Sequence, residues 1–403
     1  MLKNPLTDIN LHVDLHRSKG YALFVAILPV VQLIVTPGLQ VGLATTLIAA
    51  TMVYAGCVAY RHSTRIDPSI LLAALPYLLY VCYRGETEER LLAVAITTHL
   101  VAFSTGAVCQ QRLRAIVENV AVAAALLAVA QQLLYFGTGL KIQFLLNEFI
   151  IPSHRMAMHE SLFSGTVESS GLYRPSAFFE EPSHMAQYSL VGLVSCLFRD
   201  EARTRRALLI STGMFACTSG MGIVLTFAIW GWWRLTAMKG ASLNRKVALF
   251  TTAVVCLPLL FLLLNEVPFF AHVFSRFMDT PEGEYNAIEG RTFAWDLLFK
   301  GRSFDDLLWG EGPAAEQKYY LTGFMKQLFM YGWAGVILLY TFLLRLVMGT
   351  HGAARTIAIA FSGLYFIAGV SGFIPLIYYT GCIVTLDQEQ HHCDDADEGG
   401  EES

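Results

Sequence analysis

Arg174, Glu180, Glu181 and His184 fall within eleven positions of one another in YRPSAFFEEPSHMA, which runs from Tyr173 to Ala186 between two apolar segments. A guanidinium, two carboxylates and an imidazole in one short stretch can bind an anion and accept a proton. An ionisable group at membrane depth costs about 2.5–3.5 kcal/mol on insertion scales. A cluster at the edge of an apolar run is therefore a functional-site hypothesis; the plain alternative is a solvated loop with one Arg–Glu ion pair. The order of residues favours the site. Arg174 and Glu181 each precede a proline and are pushed to extended backbone. Pro182 then suits the first position of a helix, with Glu181 as its N-cap. A helix starting there offers free N–H groups and a partial positive charge beside Arg174, which is an anion site with carboxylates next to it.

A second set lies between 265 and 322, a stretch too charged for a span and too long for a passive connector. In GRTFAWDLLF (Gly290–Phe299) the apolar Phe293, Leu297 and Leu298 recur at helical spacing, and Arg291 and Trp295 are i, i+4 neighbours. The pattern predicts an amphipathic helix on a membrane surface. In LLWGEGPAAEQKYY, Gly310, Gly312 and Pro313 predict a tight turn that lets another group approach the backbone closely, with Glu311 inside it. Arg276 is a third candidate cation. Lys300, Arg302, Lys318 and Lys326 read as solvated or headgroup-level charges. Asp305 and Asp306, beside Phe304 and Leu307, read as the polar face of a short helix rather than a metal pair.

The elements that must position these residues are apolar helices. The chain of 403 residues is 55% hydrophobic and 15% charged, the composition of an integral membrane protein. Apolar runs predict twelve helices near 21–36, 39–60, 69–83, 91–109, 115–136, 184–198, 207–219, 221–237, 247–264, 323–344, 356–370 and 372–386. The pairs around Ser219-Gly220 and Ser371-Gly372 read as short hairpins or broken helices. No small-residue cleavage site follows Tyr21–Val35, so the first run reads as a span rather than a signal peptide. With both termini inside, the inner side collects Lys3, Arg17, Lys19, Arg61, Arg65, Arg112, Arg114, Arg199, Arg203, Arg205, Arg206, Arg234, Lys239, Arg245, Lys246, Arg345 and Arg355. The outer side keeps fewer, although it owns the long loops at about 137–183 and 265–322, and the short basic loops decide orientation. The spans hold few charges, with Glu118 an exception near an inner end. The expected fold is an all-α polytopic membrane protein. Residues 1–386 form one integral membrane domain, and 387–403 an acidic tail expected to be disordered.

Neither outer loop contains a cysteine, so no disulfide framework and no zinc site is implied. His391, His392 and Cys393 could hold metal only adventitiously. The charge balance of −4 implies no nucleic-acid partner.

Together these pieces resemble the Wzy-type O-antigen polymerase and O-antigen ligase superfamily. Arg174, Ser176, Ala177, Phe179, Glu181 and Pro182 resemble its Arg-x-Ser-(Gly/Ala)-x-Phe-x-Glu-Pro segment, with Ala186 opening the helix. Thr218-Ser219-Gly220 is similar to the small polar turn between the next two family helices. Gly290-Arg291, Trp295 and Gly310-Glu311-Gly312 are similar to the second-loop pattern, and Tyr331-Gly332-Trp333-Ala334-Gly335 to the Gly-x-x-Gly helix after it. The resemblance spans about 120–380. One departure matters: Glu316-Gln317-Lys318-Tyr319-Tyr320 has no histidine where the ligases usually carry one, which favours a polymerase.

The resemblance implies a GT-C-type, O-antigen ligase-like fold with both long loops in the periplasm. It also implies a metal-independent, cofactor-free enzyme of the bacterial inner membrane, joining undecaprenyl-pyrophosphate-linked oligosaccharide repeats into O-antigen, capsule or exopolysaccharide. A chain-length regulator and a flippase are implied partners. Arg174 and Arg291, with Arg276, would hold the leaving pyrophosphate. Glu181 would be the general base, made more basic by partial desolvation, with His184, Glu180 and Glu311 as alternatives. Ser176, Trp295 and Tyr320 complete the substrate-binding set. A ligase-type glycan transferase and a flippase or permease are the competing readings; carriers place their polar sites near the bilayer midplane, whereas here the charge concentrates outside.

Overall fold

The computed structural model describes residues 19–31, 43–61, 68–106, 108–140, 173–179, 181–199, 201–238, 242, 251, 266, 298–300, 302–313, 315, 321–367 and 373–398. Among them are twelve helices and no strand. In chain order these are α1 (Lys19–Val31), α2 (Leu43–Arg61), α3 (Pro68–Arg84), α4 (Thr87–Ser104), α5 (Gln110–Thr138), α6 (Pro182–Leu197), α7 (Thr204–Ala216), α8 (Gly220–Ala237), α9 (Phe304–Trp309), α10 (Gly323–Met348), α11 (Gly352–Ile367) and α12 (Phe373–Glu398). Each expected helix has a counterpart except 247–264, which falls outside the described residues apart from Thr251.

Local chemistry sets several boundaries. α4 begins where Glu86 N–H donates to the Glu89 carboxylate at 3.1 Å, and Glu88 and Glu89 add negative charge at the positive helix end. α9 carries a complete capping box. Ser303 Oγ accepts from Asp306 N–H at 3.1 Å, and Asp306 Oδ2 accepts from Ser303 N–H at 3.2 Å. These bonds, with one from the Ser303 hydroxyl, hold the Asp306 carboxyl below its ordinary range. Asp306 thus caps a short helix and Asp305 lies in its first turn, as their neighbours suggest.

Two helices, α5 and α10, are long and apolar enough to cross a membrane by length and composition, but α10 folds back on itself at Gly332, where Phe324 returns to Tyr340 with ring centroids 6.0 Å apart. The 29 residues of α5 reach about 43 Å at ~1.5 Å per residue. Shorter apolar stretches occur in α1, α2, α3, α11 and α12. The outward surface is apolar too: Leu72, Leu79, Leu126, Leu133, Ile337, Leu344, Ile359 and Phe366 are all exposed. A water-facing bundle would turn polar residues outward, so this pattern suits lipid.

Inside, α5 is the hub. Its Ala121, Ala124, Ala125 and Ala128 are buried. α6 crosses at Gly192, where an added Cβ would lie 2.7 Å from that of Ala121, and α7 crosses at Gly213, backbone to backbone with Ala125. Small residues let helices approach in this way where no hydrophobic force separates helix from lipid. α7 and α8 form a hairpin, because Met214 meets Thr226 and Ser211 meets Trp230. On the other side α10 packs on α3, α9 and α11, and α12 on α1, α4 and α11.

α12 runs on into the acidic tail as far as Glu398. The tail continues a helix already formed, contains no Gly or Pro before Gly399, and so needs only propagation without a new nucleus.

Candidate functional site

Tyr173–Glu181 folds against the bundle instead of standing off as a solvated loop. Tyr173, Pro175, Ser176, Ala177 and Phe179 are buried, and Arg174 and Phe178 are half-buried. Tyr173 packs on Tyr135 of α5 with ring centroids 5.1 Å apart, and burial pushes its hydroxyl up to about 12, so the phenol keeps its proton. Phe179 reaches Tyr188 of α6, which stacks on Tyr378 of α12. Ala177 has left-handed backbone (φ 54°). Gln131 of α5 holds it from both sides: Ala177 N–H donates to Gln131 Oε1 at 3.0 Å, and Gln131 Nε2 donates to the Ala177 carbonyl at 3.4 Å. A Phe179 N–H bond to the Ser176 carbonyl closes the turn.

The proline argument holds at the start of α6. Glu181 is the extended N-cap (φ −129°, ψ 153°), and Pro182 is the first helical residue. Its side chain does a different job from capping. The carboxylate is exposed and accepts from Ser183 Oγ at 2.9 Å. The partial burial expected of Glu181 is not present, because the side chain turns outward to Ser183. His184, in the first turn of α6, is half-buried, and Glu180 lies outside the described residues.

The Cys217–Ser219 turn between α7 and α8 meets this segment. Cys217 Sγ donates to the Pro182 carbonyl at 3.7 Å; burial pushes its thiol up to about 11, opposed by a backbone hydrogen bond at Ser219 and by the Arg174 charge. Ser219 caps α8 by accepting from Gly222 N–H at 3.4 Å. Gly222 lies against Ala186, where a Cβ would come within 3.0 Å. Two helix N-termini, those of α6 and α8, thus start side by side next to Arg174. Their combined partial charges and the guanidinium favour an anion. Thr218 sits in the turn at φ 50°, with its hydroxyl buried and without a hydrogen-bond partner. Gln132, two turns beyond Ala125 on the α7-facing side of α5, is also buried with neither side-chain polar atom bonded. Buried polar groups without partners are uncommon and call for an explanation such as a bound group. Sequence reasoning missed Gln131 and Gln132, which look like ordinary polar interruptions of an apolar helix. It flagged Thr218-Ser219-Gly220 only through resemblance.

The second set is split. Arg276, Arg291, Trp295 and Tyr320 lie outside the described residues. Glu311 is placed, on a different group of helices from Arg174. Gly310 (φ 76°) presses its backbone onto Gly332 (φ 63°, ψ −172°), the one non-helical residue inside α10. The kink frees carbonyls that the helix would otherwise use. Glu311 N–H takes that of Phe329 at 2.8 Å, Gly312 N–H that of Met330 at 3.0 Å, and the Tyr80 hydroxyl that of Tyr331 at 3.0 Å. Arg84 Nη2 donates to the Gly310 carbonyl at 2.8 Å. The expected close approach to the glycine turn is real, and its partner is α10. The Glu311 carboxylate pairs with Arg302 at 2.7 Å, and Arg302 also covers the Phe329 ring at 5.0 Å. Arg302 is thus a mostly buried tether rather than a solvated charge. Glu311, already neutralised by it, is a weaker base candidate.

No family model and no curated protein matches the chain.

Proposed function

We propose that this chain is a polytopic inner-membrane glycosyltransferase that polymerises undecaprenyl-pyrophosphate-linked oligosaccharide repeats at the periplasmic face. The observation that carries the proposal is the half-buried Arg174 beside the paired N-termini of α6 and α8, at one end of an apolar helical bundle. A lipid-linked donor needs that combination: an apolar flank for the polyprenyl chain and fixed positive charge for the pyrophosphate.

In the reaction the acceptor hydroxyl oxygen bonds to the anomeric carbon of the donor. The bond from that carbon to the phosphate oxygen breaks, and its electron pair leaves on the pyrophosphate. The hydroxyl proton passes to a base. Arg174, the two helix N-termini and Arg291 stabilise the charge that develops on the leaving oxygens, the term that usually contributes most to catalysis. Glu181, held extended at the mouth of α6, is the base, with His184 next to it in the first turn as the alternative; a base is worth ~10²–10⁴-fold. The missing histidine in Glu316–Tyr320 favours polymerase over ligase.

The test is Arg174→Ala in the native strain, with polymer length read on a gel and protein level read by blot. Long-chain polymer should disappear at unchanged protein level, as it should in Arg291→Ala, and Arg291→Lys should keep only part of the chain length because a point charge cannot replace the guanidinium fork. Wild-type chain lengths from a stable Arg174→Ala protein would remove the pyrophosphate assignment.

A further inference from the structure

At the opposite end of the bundle a single carboxylate gathers three arginines. Glu118 of α5 is fully buried, while Arg199, Arg203 and Arg206 keep 24, 45 and 43% of their side chains exposed. Arg203 Nη1 lies 2.9 Å and Arg206 Nη1 3.4 Å from Glu118 Oε2, and Arg199 Nη1 lies 3.6 Å from Oε1. Ser195 Oγ donates to Oε1 at 3.1 Å, and Arg206 Nη1 donates to Asn119 Oδ1 at 3.1 Å. One negative charge cannot balance three guanidiniums drawn so close together. Glu201, in the same connection, is exposed and forms no ion pair among the described residues; even counting Asp200, which lies outside them, the four arginines Arg199, Arg203, Arg205 and Arg206 exceed the three carboxylates Glu118, Asp200 and Glu201 by one. The cluster is thus preorganised, over-positive and open to the outside.

Its surroundings are apolar. Leu208, one turn beyond the exposed Arg205 and on the same face of α7, is exposed. Trp230 Nε1 donates to Ser211 Oγ at 2.9 Å, which fixes the α7–α8 pairing and brings Leu235 of α8 level with Arg206. Trp232 and Leu235 are exposed as well. We propose that this corner binds an acidic phospholipid. Its phosphate lies on the arginine forks, and its acyl chains run along Leu208, Trp232 and Leu235. A free phosphate ion would use only the arginines and leave the apolar flank without a role. The site is independent of the glycan chemistry at the other end.

The test is thermal unfolding of the full-length protein in detergent with added phosphatidylglycerol, phosphatidylcholine or inorganic phosphate. Phosphatidylglycerol should raise the unfolding temperature by about 3 °C or more at saturation, with a smaller rise in high salt. Phosphatidylcholine and inorganic phosphate should leave it unchanged. Arg203→Gln and Arg206→Gln each leave Glu118 two guanidiniums, so the fold is kept, and each should cut the response to phosphatidylglycerol by more than half. An equal response to phosphatidylcholine, an equal response to inorganic phosphate, or an undiminished response in both variants would each overturn the proposal. The wild-type comparison decides it even where a variant fails to fold.

Discussion

Two residues of the candidate site hold left-handed backbone that costs a side-chain-bearing residue roughly 1–2 kcal/mol: Ala177 and Thr218. For Ala177 the compensation is visible, since Gln131 makes two hydrogen bonds to its backbone. Thr218 is β-branched and its hydroxyl is buried without a partner, although its N–H donates to the Phe215 carbonyl at 3.0 Å. Strain kept beside an anion-favouring corner is the pattern expected where a site is prearranged for a ligand. The base is the open question at this scale, because Glu181 and His184 are adjacent and Glu181 is exposed. Glu181→Ala removes both its proton acceptance and its bond from Ser183, so its loss of activity would decide nothing. Glu181→Gln keeps a hydrogen-bonding oxygen but accepts no proton. If Glu181 is the base, the glutamine protein should polymerise at least ~10²-fold more slowly, and lipid-linked single repeats should accumulate. Near-normal chain length in Glu181→Gln would move the base to His184, and the alanine and glutamine proteins compared together separate the two roles.

The clasp between the α9 turn and the α10 kink shows how one element holds another. A Cβ on Gly310 would sit 2.5 Å from the Gly332 nitrogen, and both glycines have positive φ. Gly310→Ala should therefore lower stability by at least about 2 kcal/mol, from the left-handed penalty and the forced separation together. Gly312→Ala has positive φ but open space around it, so it should cost less. Thermal unfolding in detergent would order the two, and equal losses would show that the clasp contributes nothing. The sequence made part of this legible. Gly310, Gly312 and Pro313 announce a turn with close approach, because glycine spacing is a local signal. The partner at Gly332 and the Arg302–Glu311 pair were not legible, because they join residues far apart in the chain and no periodicity encodes them. The same reason hid Gln131 and its hold on Ala177. The helices themselves were readable from apolar runs bounded by charge.

Across the whole molecule, some long-range polar contacts mark the two ends, while others, such as Tyr21 with His99 and Tyr188 with the Ala26 carbonyl, lie between them. One end holds Arg84 on Gly310, Gln131 on Ala177 and Tyr379 on the Gln187 carbonyl. The other holds the arginines on Glu118 and His351 on Asp387. These pairs agree with α5 antiparallel to α6 and α11 antiparallel to α12, whereas α10 doubles back at Gly332, bringing Phe324 to Tyr340 with ring centroids 6.0 Å apart. The arginine count then orients the bundle. Arg112, Arg114, Arg199, Arg203, Arg205, Arg206, Arg345 and Arg355 belong to the Glu118 end, and short basic connections stay in the cytoplasm. Under the proposed function, Arg174, Glu181 and the α9 clasp would then face the periplasm, where a lipid-linked repeat would be presented. Alkaline phosphatase, which folds to an active enzyme only outside the cytoplasm, reads this directly. Fused after Glu282 it should be active, and fused after Arg205 it should be inactive. The reverse pattern would place the Arg174 corner in the cytoplasm, out of reach of a periplasmic donor, and the polymerase reading would fall with it. The Arg199–Arg203–Arg206 lipid corner would survive that reversal, because acidic lipid can meet it from either leaflet.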